Sequence, residues 1–300
     1  MKSILIGSVG SSSKTLLQEM VRLNFPVEMV FSLDEQYSLN VSGYYPIHQL
    51  AEKHNIPYRK FKRINDKEHT VLIKEINPDY IFVIGLSQLI GKEIIESAKK
   101  GVIGSHPTPL PKFRGRAAMV WQMLLGIKES KCSMFFIDEG IDSGDIIGQE
   151  DYFLENTDYA IDAERKVTEA FGRLARRILP EIMNNNLKSI KQNEEEATYL
   201  LKRLPEDGLI NWQEPVEQIH RLIRAVSKPY PGAFSYYDGK DKVVFWRADF
   251  MENKKYIGLP GQIAKKTEEY LDVVCIDGLL RIYDFECTNS IKIREGYKFK

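Results

Sequence analysis

Long apolar runs are absent from this sequence. No stretch of its 300 residues approaches the roughly 18 uninterrupted apolar residues that a membrane-spanning helix needs. The opening MKSILIGSVG holds an apolar run of only a few residues that ends in a glycine-serine turn, which is typical of a first buried strand rather than of a signal peptide. We therefore expect a cytoplasmic protein that does not associate with membranes.

Cysteine is scarce, and neither sign of charge dominates. The three cysteines, Cys132, Cys275 and Cys287, are odd in number and widely spaced, which argues against a disulfide framework and against a zinc cluster. Basic and acidic residues number 42 each, so the basic surplus typical of proteins that bind nucleic acid is missing. The length is about right for two domains, and 43% hydrophobic residues is ordinary for a globular chain.

The first half of the chain alternates short apolar runs with amphipathic patterns. Strands are predicted at SILIGS, VEMVFSL, YIFVIG, GVIGSH and KCSMFFID. Helices are predicted at SKTLLQEMVRLN, PIHQLAEKHN, GKEIIESAKK and AAMVWQMLLG, with a longer helix near 158–184. This alternation predicts an α/β fold with an open, mainly parallel Rossmann-like sheet and helices on both faces. Ligands of such a sheet bind beyond the carboxyl ends of its strands.

The second half changes character after a polar stretch that includes QNEEEAT. One helix is predicted at PVEQIHRLIRAVS, followed by strand-like runs AFSYY, KVVFWRA, YLDVVCI and LLRIYDFEC between turn residues. These short strands predict a small β-barrel of the OB-like kind. We therefore predict a catalytic domain over 1–186, a linker over 187–203 and a barrel domain over 204–300.

The stretch GSVGSSSKT has a partial likeness to a phosphate-binding loop. Lys14 and Thr15 end it as in a Walker A motif, but Ser8 and Ser13 occupy the two required glycine positions. We therefore predict a small-residue turn into the first helix rather than a site of ATP hydrolysis. Backbone N–H groups at that helix start could still hold a substrate phosphate, which makes Ser8, Ser11 and Ser12 candidate substrate-binding residues.

His106 differs from the other histidines of the chain. It ends a predicted buried strand among glycine, proline and arginine, whereas the others lie in amphipathic helices or in a charged segment, and no pair has metal-binding spacing: His48, His54, His69 and His220. A neutral imidazole can take a proton near neutral pH, and a carboxylate usually fixes its tautomer. Asp142 in DEGIDSGDII is the candidate partner, in competition with Asp138, Glu139 and Asp145.

Two paired motifs resemble a known family. GSHPTPLPKFRGRAAMVW, followed by EGIDSGDII with His106 and Asp142 separated by 36 positions, is similar to the signature of formyltransferases that use 10-formyltetrahydrofolate. These include methionyl-tRNA formyltransferase and the sugar N-formyltransferases. The stretches DYIFVIGLSQLI and PEDGLINW, with IHRLIRAVSKPYPGAFSYY, agree with the folate-binding strand and with the start of the family's C-terminal domain.

The resemblance implies roles for particular residues. His106 would take the proton from the attacking amine, Asp142 would orient it, and the Leu110-Pro111 step would shape the loop. Arg114 and Arg116 would hold an anionic substrate, either the folate glutamate or an acceptor phosphate. The residues expected to hold the folate are Gly85, Leu86, Ser87, Gln88, Leu89, Ile90, Ile137, Asp138, Glu139, Gly140 and Ile141. No metal is required.

One position departs from the family's pattern. The family usually has Asn-x-His, with the asparagine amide steadying the oxyanion, and this chain has Gly104 there. Ser105 cannot replace the amide, because adjacent strand residues point to opposite faces. A backbone N–H, or a water admitted by the missing side chain, could serve at Gly104 instead.

The expected acceptor is the amine of a nucleotide-linked amino sugar rather than a tRNA, and the evidence is the balance of basic and acidic residues. Residues 203–300 hold 16 basic and 15 acidic residues, and SLDEQYSLNVSGYYPIHQL holds two acidic residues and no basic one, so neither offers the basic surface that tRNA needs. The candidate sugar- or base-binding residues are Asn40, Ser42, Tyr44 and Tyr230. Methionyl-tRNA formyltransferase and a non-catalytic folate or nucleotide-sugar binding protein are the alternatives. The sequence leaves a homodimer open.

Overall fold

The structure, a computed structural model, describes residues 1–39, 41–289 and 291–300. Asn40, a predicted sugar-binding residue, lies outside the described residues. The chain divides into two compact units: unit 1 is Met1–Ala118, Lys128–Phe153 and Glu164–Leu201, and unit 2 is Met119–Ile127, Leu154–Ala163 and Lys202–Lys300. The predicted linker over 187–203 thus runs within unit 1 as far as Leu201. The domain boundaries at 186 and 204 stay predictions.

Unit 1 is built on a mainly parallel sheet, as predicted. Its strands are β1 (Ser3–Gly7), β2 (Met29–Leu33), β3 (Tyr58–Phe61), β4 (Tyr80–Ile84), β5 (Gly101–His106), β6 (Arg114–Gly115), β7 (Glu129–Phe136), β8 (Ile146–Phe153) and β9 (Tyr199–Leu200). Seven form one sheet in the order β3-β2-β1-β4-β5-β7-β8. In this order, each strand from β3 through β5 pairs in parallel with its neighbour. Strand β7 pairs antiparallel with both β5 and β8. The short strands β6 and β9 pair with each other.

The helices follow the predicted alternation, with one addition. They are α1 (Thr15–Arg22), α2 (Ile47–Lys53), α3 (Lys67–Ile76), α4 (Lys92–Ile95), α5 (Ala118–Leu124), α6 (Ala160–Met183) and α7 (Val216–Ala225). A π-helical turn over Gly10–Lys14 leads into α1. Helix α3, which the sequence analysis did not predict, buries Thr70 and Ile73. None of the helices described is long and apolar enough to cross a membrane.

One serine ties together the ends of β1 and β4. The Ser13 hydroxyl oxygen accepts hydrogen bonds from the backbone N–H groups of Ser8 and Val9, at 3.0 and 3.1 Å, and its hydroxyl donates to the carbonyl of Ile84. Buried backbone groups need such partners, because they have lost water. Two adjacent carboxyl-terminal strand ends are therefore held at a fixed separation, which is where an open sheet binds ligands.

A hydrophobic cluster lies directly under those strand ends. Ile4, Phe31, Ile81 and Val102 belong to it, and each has at most 1% of its surface exposed. Leu86, Ile90, Ile137 and Tyr44, from the loops that follow β4, β7 and β2, pack against the same cluster. Burial of apolar side chains thus fixes the base of each of these loops.

Unit 2 contains an antiparallel sheet that a terminal segment closes. Its strands are β10 (Ala233–Tyr237), β11 (Asp241–Met251), β12 (Ile263–Lys266), β13 (Leu271–Val274) and β14 (Leu279–Cys287), in the order β10-β11-β14-β13-β12. At one edge Tyr237 bridges Phe299, and beside the other Gln262 bridges Lys298. The last residues of the chain thereby link both edges, as expected for the predicted barrel. Trp212 and Phe245 pack around Phe299, with ring centroids 5.9 and 5.2 Å away.

Candidate active site

His106 is held at the end of β5 by a backbone carbonyl. The side chain is buried, and Nε2 lies 2.8 Å from the carbonyl oxygen of Phe113. A carbonyl only accepts, so Nε2 carries a proton, and in the neutral ring Nδ1 is the basic atom. Phe113 has φ +63°, an uncommon conformation for a bulky residue, and this conformation turns its carbonyl toward the imidazole. The tautomer is thus set by Phe113 and not, as we expected, by a carboxylate.

Asp142 faces the other nitrogen of the same ring. Its Oδ2 lies 3.7 Å from His106 Nδ1 and accepts a hydrogen bond of 2.8 Å from the backbone N–H of Gly115. Asp142 also has φ +50°, a conformation that aspartate tolerates better than most residues. A carboxylate so placed stabilises the imidazolium that forms when Nδ1 takes a proton. The predicted pairing of His106 with Asp142 therefore exists in the folded chain.

The three competing carboxylates are engaged elsewhere. Asp138 Oδ1 accepts from the Gly140 N–H and from the Ser143 hydroxyl. Glu139 forms an ion pair of 3.2 Å with Lys92, and Asp145 accepts from the Ser189 hydroxyl at 3.2 Å. Asp142 is the member of this acidic group that the structure brings to His106.

Gly104 is closed in by side chains rather than open to water. It lies on the same face of β5 as His106. A Cβ placed on Gly104 would lie 3.0 Å from Cγ1 and 3.1 Å from Cδ1 of Ile137, and 3.2 Å from Cζ of Phe135. A Cβ at position 104 would therefore press against Ile137 and Phe135. The donor that replaces the family's asparagine stays a prediction.

The predicted folate-binding segments lie together. Ion pairing of Lys92 with Glu139 joins the segment after β4 to the segment after β7, and Arg116 Nη2 donates to the carbonyl of Ser87 at 3.3 Å. Leu89 and Ile141 expose 83% and 62% of their surface. Within 85–90, Gly85 follows the strand, Leu86 and Ile90 are anchored on the core, and Ile137 and Gly140 belong to the facing segment.

Gln88 is an exception among these residues, because its side chain is used inside the protein. Its Nε2 donates to the carbonyl of Lys62 at 2.7 Å, and its Oε1 accepts from the Ile64 N–H at 3.0 Å. Asn65 fixes the same loop through the carbonyl of Leu89 and the N–H of Gly91, at 2.8 and 2.7 Å. The loop after β4 is therefore held from beneath, with its backbone shape set by these two amides.

The predicted serines divide into one internal residue and two at the helix start. Ser8 is fully buried, and its hydroxyl donates to the carbonyl of Gly85 at 2.8 Å, so the side chain is not offered to a ligand. Ser11 and Ser12 lie on the π-helical turn and are partly exposed. Of these three serines, Ser11 and Ser12 are accessible, and their role in substrate binding stays a prediction.

The segment 41–45 packs against the end of β1. Val9 bridges Tyr44, and Tyr45 N–H donates to the carbonyl of Ser8 at 2.9 Å. The Tyr44 hydroxyl donates to the carbonyl of Leu33 at 3.0 Å, and burial raises its pKa to about 12. Tyr44 is thus an anchored residue, whereas Ser42 is exposed. Tyr230 belongs to unit 2, where its N–H donates to the carbonyl of Ser227 at 2.9 Å.

Arg114 and Arg116 have different environments. Arg114 exposes 1% of its surface, and its guanidinium donates to Gln192, Glu194 and Tyr199. It therefore cannot bind a substrate anion in this structure, which corrects the predicted role. Arg116 is exposed beside the loop after β4, and its role in substrate binding stays a prediction.

Four contributors to the site were not predicted from the sequence: Phe113 and Gly115, which contact His106 and Asp142, and Gln192 and Thr198, which contact the backbone of Asp142 and of Phe113. Their contacts are backbone hydrogen bonds or involve the stretch read as a linker, and no residue pattern signals either. In the three described ranges, no group of at least three His, Cys, Asp or Glu side chains gathers in a way that could hold a metal ion.

Family models match most of the chain. The model described as formyl transferase matches residues 7–180, and the model described as formyl transferase, C-terminal domain, matches residues 203–296. The first spans more than half of the chain and includes His106, Asp142 and both predicted folate-binding segments.

Solved structures share this fold. WlaRD, a sugar 3N-formyltransferase crystallised in the presence of dTDP and 5-N-formyl-THF, is 20% identical with a TM-score of 0.66, over 97% of this chain and 99% of that one. An N-formyltransferase from Helicobacter canadensis, in complex with folinic acid and dTDP-3-aminofucose, is 21% identical with a TM-score of 0.67, over 95% and 100%. Methionyl-tRNA formyltransferase from Clostridium thermocellum is 25% identical with a TM-score of 0.63, over 93% and 100%.

Proposed function

The chain belongs to the formyl transferase family, and from this premise we propose that it moves the formyl group of 10-formyltetrahydrofolate to the amine of a nucleotide-linked amino sugar. The observation that carries the proposal is the contact of 3.7 Å between His106 Nδ1 and Asp142 Oδ2 at the end of β5. We further propose that residues 1–186 carry the reaction and that 204–300 form the accessory barrel domain. The predicted cytoplasmic location and homodimer stay predictions.

In this mechanism the imidazole acts as the base. As the amine nitrogen bonds to the formyl carbon, the bond from that carbon to N10 of the folate breaks, and tetrahydrofolate leaves. The amine loses one proton and N10 gains one. His106 Nδ1 is the basic atom that takes the proton and returns it to N10, because Nε2 donates to the carbonyl of Phe113. The carboxylate of Asp142 then stabilises the imidazolium charge. Gly115 holds that carboxylate through its N–H at 2.8 Å. The carbonyl of Phe113 thus orients His106, and the N–H of Gly115 orients Asp142.

The residues around the loop after β4 fit a folate. A pterin ring needs apolar side chains against its faces and hydrogen-bonding groups along its edge. Leu89 and Ile141 supply exposed apolar surface, and the backbone of 85–90 and 137–141 supplies the polar groups. Arg116 would meet the anionic end of a substrate. When bound, the folate derivative supplies an activated formyl group.

The acceptor proposal rests on charge in the loop after β2 and its surroundings. Lys60 forms an ion pair of 2.8 Å with Glu35, and Lys62 lies over the ring of Tyr37 at 4.8 Å. These lysines are engaged with neighbouring side chains, so the loop does not add a free basic surface for a polyanion. A small acceptor suits it better, and the dTDP-3-aminofucose bound to the Helicobacter canadensis protein is an example of the class.

Methionyl-tRNA formyltransferase is the second candidate. The 25% identity to the Clostridium thermocellum enzyme favours it, and the chemistry at His106 would be the same. A tRNA acceptor requires many phosphate contacts, and its binding weakens steeply with salt. The near-equal numbers of basic and acidic residues in 203–300 argue against such contacts.

The test compares acceptors with one enzyme preparation. The purified protein is given 10-formyltetrahydrofolate with a panel of dTDP-linked amino sugars or with charged initiator tRNA, and formylated products are measured by mass spectrometry. We expect formyl transfer to an amino sugar, little dependence on salt, and none to tRNA. The His106→Ala variant should lose about 100-fold or more of the turnover, because it lacks the base. His54→Ala is the matched control, since His54 is exposed at the end of α2.

Three results would contradict the proposal or its assignment of the base. Efficient transfer to tRNA that falls steeply as salt rises would favour the second candidate. Binding of folate and nucleotide sugar without any product, across the panel, would favour a binding protein. Near-normal turnover of His106→Ala would refute the assignment of the base.

A further inference from the structure

Gln192 joins a buried arginine to the backbone of Asp142. The side chain is buried, and its Oε1 accepts from Nε and Nη2 of Arg114, at 3.1 and 2.8 Å. Its Nε2 donates to the carbonyls of Asp142 and Gly144, at 2.8 and 2.6 Å. Both polar ends of the amide are therefore fully used, which fixes its orientation. The backbone of Asp142 cannot shift without breaking one of these bonds.

Arg114 holds the side chain of Gln192 in a fixed position. Two of its guanidinium nitrogens donate to the carboxylate of Glu194, at 2.7 and 2.9 Å, and one also donates to the hydroxyl of Tyr199 at 3.0 Å. The hydrogen bonds that Arg114 donates to Glu194 raise the pKa of Arg114 further above its usual range. A two-pronged arginine–carboxylate contact has a defined geometry, so the arginine acts as a fixed point.

Thr198 makes the corresponding connection to His106. Its hydroxyl oxygen accepts from the backbone N–H of Phe113 at 2.8 Å, and the carbonyl of Phe113 holds His106 Nε2. The carbonyl of Thr198 also accepts from the Arg114 N–H at 2.9 Å. Gly115 is required at this crossing, because it has φ +108° and a Cβ would lie 2.4 Å from the carbonyl oxygen of Leu200.

We propose that residues 192–200, the stretch read from sequence as part of a linker, position both members of the His106–Asp142 pair. Gln192 sets the backbone of Asp142, and Thr198 sets the carbonyl that orients His106. Neither residue touches the reacting atoms in this scheme, so both are positioning residues. The inference rests on the proposed function, because positioning matters only if His106 and Asp142 catalyse the reaction. The contacts themselves can be tested without measuring turnover.

The Gln192→Glu variant separates positioning from folding. The carboxylate can still accept from Arg114, but it has no N–H for the carbonyls of Asp142 and Gly144. We expect the fold to persist, kcat to fall by about 10- to 100-fold, and KM for both substrates to stay within about threefold, because misplacement by about 1 Å has effects of this size on turnover. Glu195→Gln is the matched control, since it makes a similar change on an exposed side chain of the same stretch that contacts neither Arg114 nor Gln192, and it should leave kcat within about twofold.

A double-mutant cycle shows whether Gln192 acts through Asp142. If it does, Gln192→Glu should reduce kcat little further once Asp142→Asn is present, because coupled residues have non-additive effects. A purely structural role predicts that the two losses multiply. The connection from Thr198 to His106 is tested separately. Thr198→Ser keeps the hydroxyl and should keep the wild-type turnover, whereas Thr198→Val, similar in size, should lower kcat by about 10-fold.

Hydrogen–deuterium exchange tests the geometry when no activity is found. In Gln192→Glu, peptides that cover 138–145 should exchange faster, while peptides from β1 and β4 stay unchanged and Glu195→Gln matches the wild type in 138–145. Unchanged exchange in 138–145, multiplying losses in the cycle, or full turnover of Gln192→Glu would each overturn the positioning role. An inactive wild type with the expected exchange pattern would instead refute the proposed function alone.

Discussion

Replacing Gly104 by asparagine should be harmful alone and useful only when Ile137 is also shortened. The new Cβ would meet Ile137 at 3.0 Å and Phe135 at 3.2 Å, closer than ordinary van der Waals contact. Extra atoms in a filled space cost about 1–3 kcal/mol of folding free energy. Ile137→Ala removes the nearest of these atoms and leaves a gap that the asparagine side chain can fill.

The magnitude of the gain follows from the chemistry of an oxyanion donor. Such a donor contributes about 3 kcal/mol to transition-state stabilisation, equivalent to roughly 100-fold in rate. Against Ile137→Ala alone, we expect Gly104→Asn with Ile137→Ala to be about 10- to 100-fold faster at saturating substrates. Gly104→Ala with Ile137→Ala is the control, because it fills part of the space without an amide.

Two measurements decide this prediction. Chemical denaturation should show coupling of about 1 kcal/mol or more between positions 104 and 137, since the two changes compensate in volume. Product formation should separate the asparagine variant from the alanine control. Equal rates for these two double variants would refute the idea that an amide at position 104 helps this enzyme, and additive stabilities would refute the packing argument.

Two further predictions concern stability. Ser13→Ala should lower the free energy of unfolding by about 1–3 kcal/mol, because the buried N–H groups of Ser8 and Val9 lose their acceptor; denaturation of Ser13→Thr, which keeps the hydroxyl, is the comparison, and equal stability of alanine variant and wild type would contradict it. Burial lowers the pKa of His220 from 6.5 to about 4, with Nε2 donating to the carbonyl of Ala248, so the unfolded chain takes the proton first as pH falls. The stability from this residue is complete above pH 6.5 and lost towards pH 4, with about 2 kcal/mol gone between pH 7 and pH 5. His220→Gln should show a correspondingly smaller difference between these two pH values, and an unchanged difference would refute the linkage.

The interior of the sheet could be predicted from sequence, and its edges could not. The buried strands β1, β2, β4 and β5 have the continuous apolar runs that the analysis used. Strand β3, sequence YRKF, lies at one edge with a largely exposed pattern, and β8 lies at the other. Edge strands bury one side at most, so polar residues replace the apolar signal.

The candidate pair was predictable because its chemistry is carried by motifs. Residue type and position indicated His106 and left four acidic candidates after β7, and the resemblance to the formyltransferases selected Asp142 among them. Their supports do not, because Phe113 and Gly115 act through the backbone. Gln192 acts at a separation of 50 residues from Asp142, within a polar stretch that resembles solvated chain. Side-chain hydrogen bonds over such separations depend on the path of the chain, which single-sequence periodicity does not encode.

Arg114 and Arg116 also show that residue type alone does not determine which partner a side chain has. A guanidinium recognises a carboxylate or a phosphate with one geometry, so residue type alone cannot tell an internal partner from a ligand. Arg114 pairs with Glu194, 80 residues away, and is itself buried. In a regular strand Arg116 would point to the same side, but Gly115 at φ +108° and Ala117 at φ +55° depart from extended geometry, and Arg116 emerges exposed beside Ser87. Of the two predicted cations, Arg116 is therefore the one exposed to solvent, and Arg114 holds Gln192 inside the protein through hydrogen bonds at 3.1 and 2.8 Å.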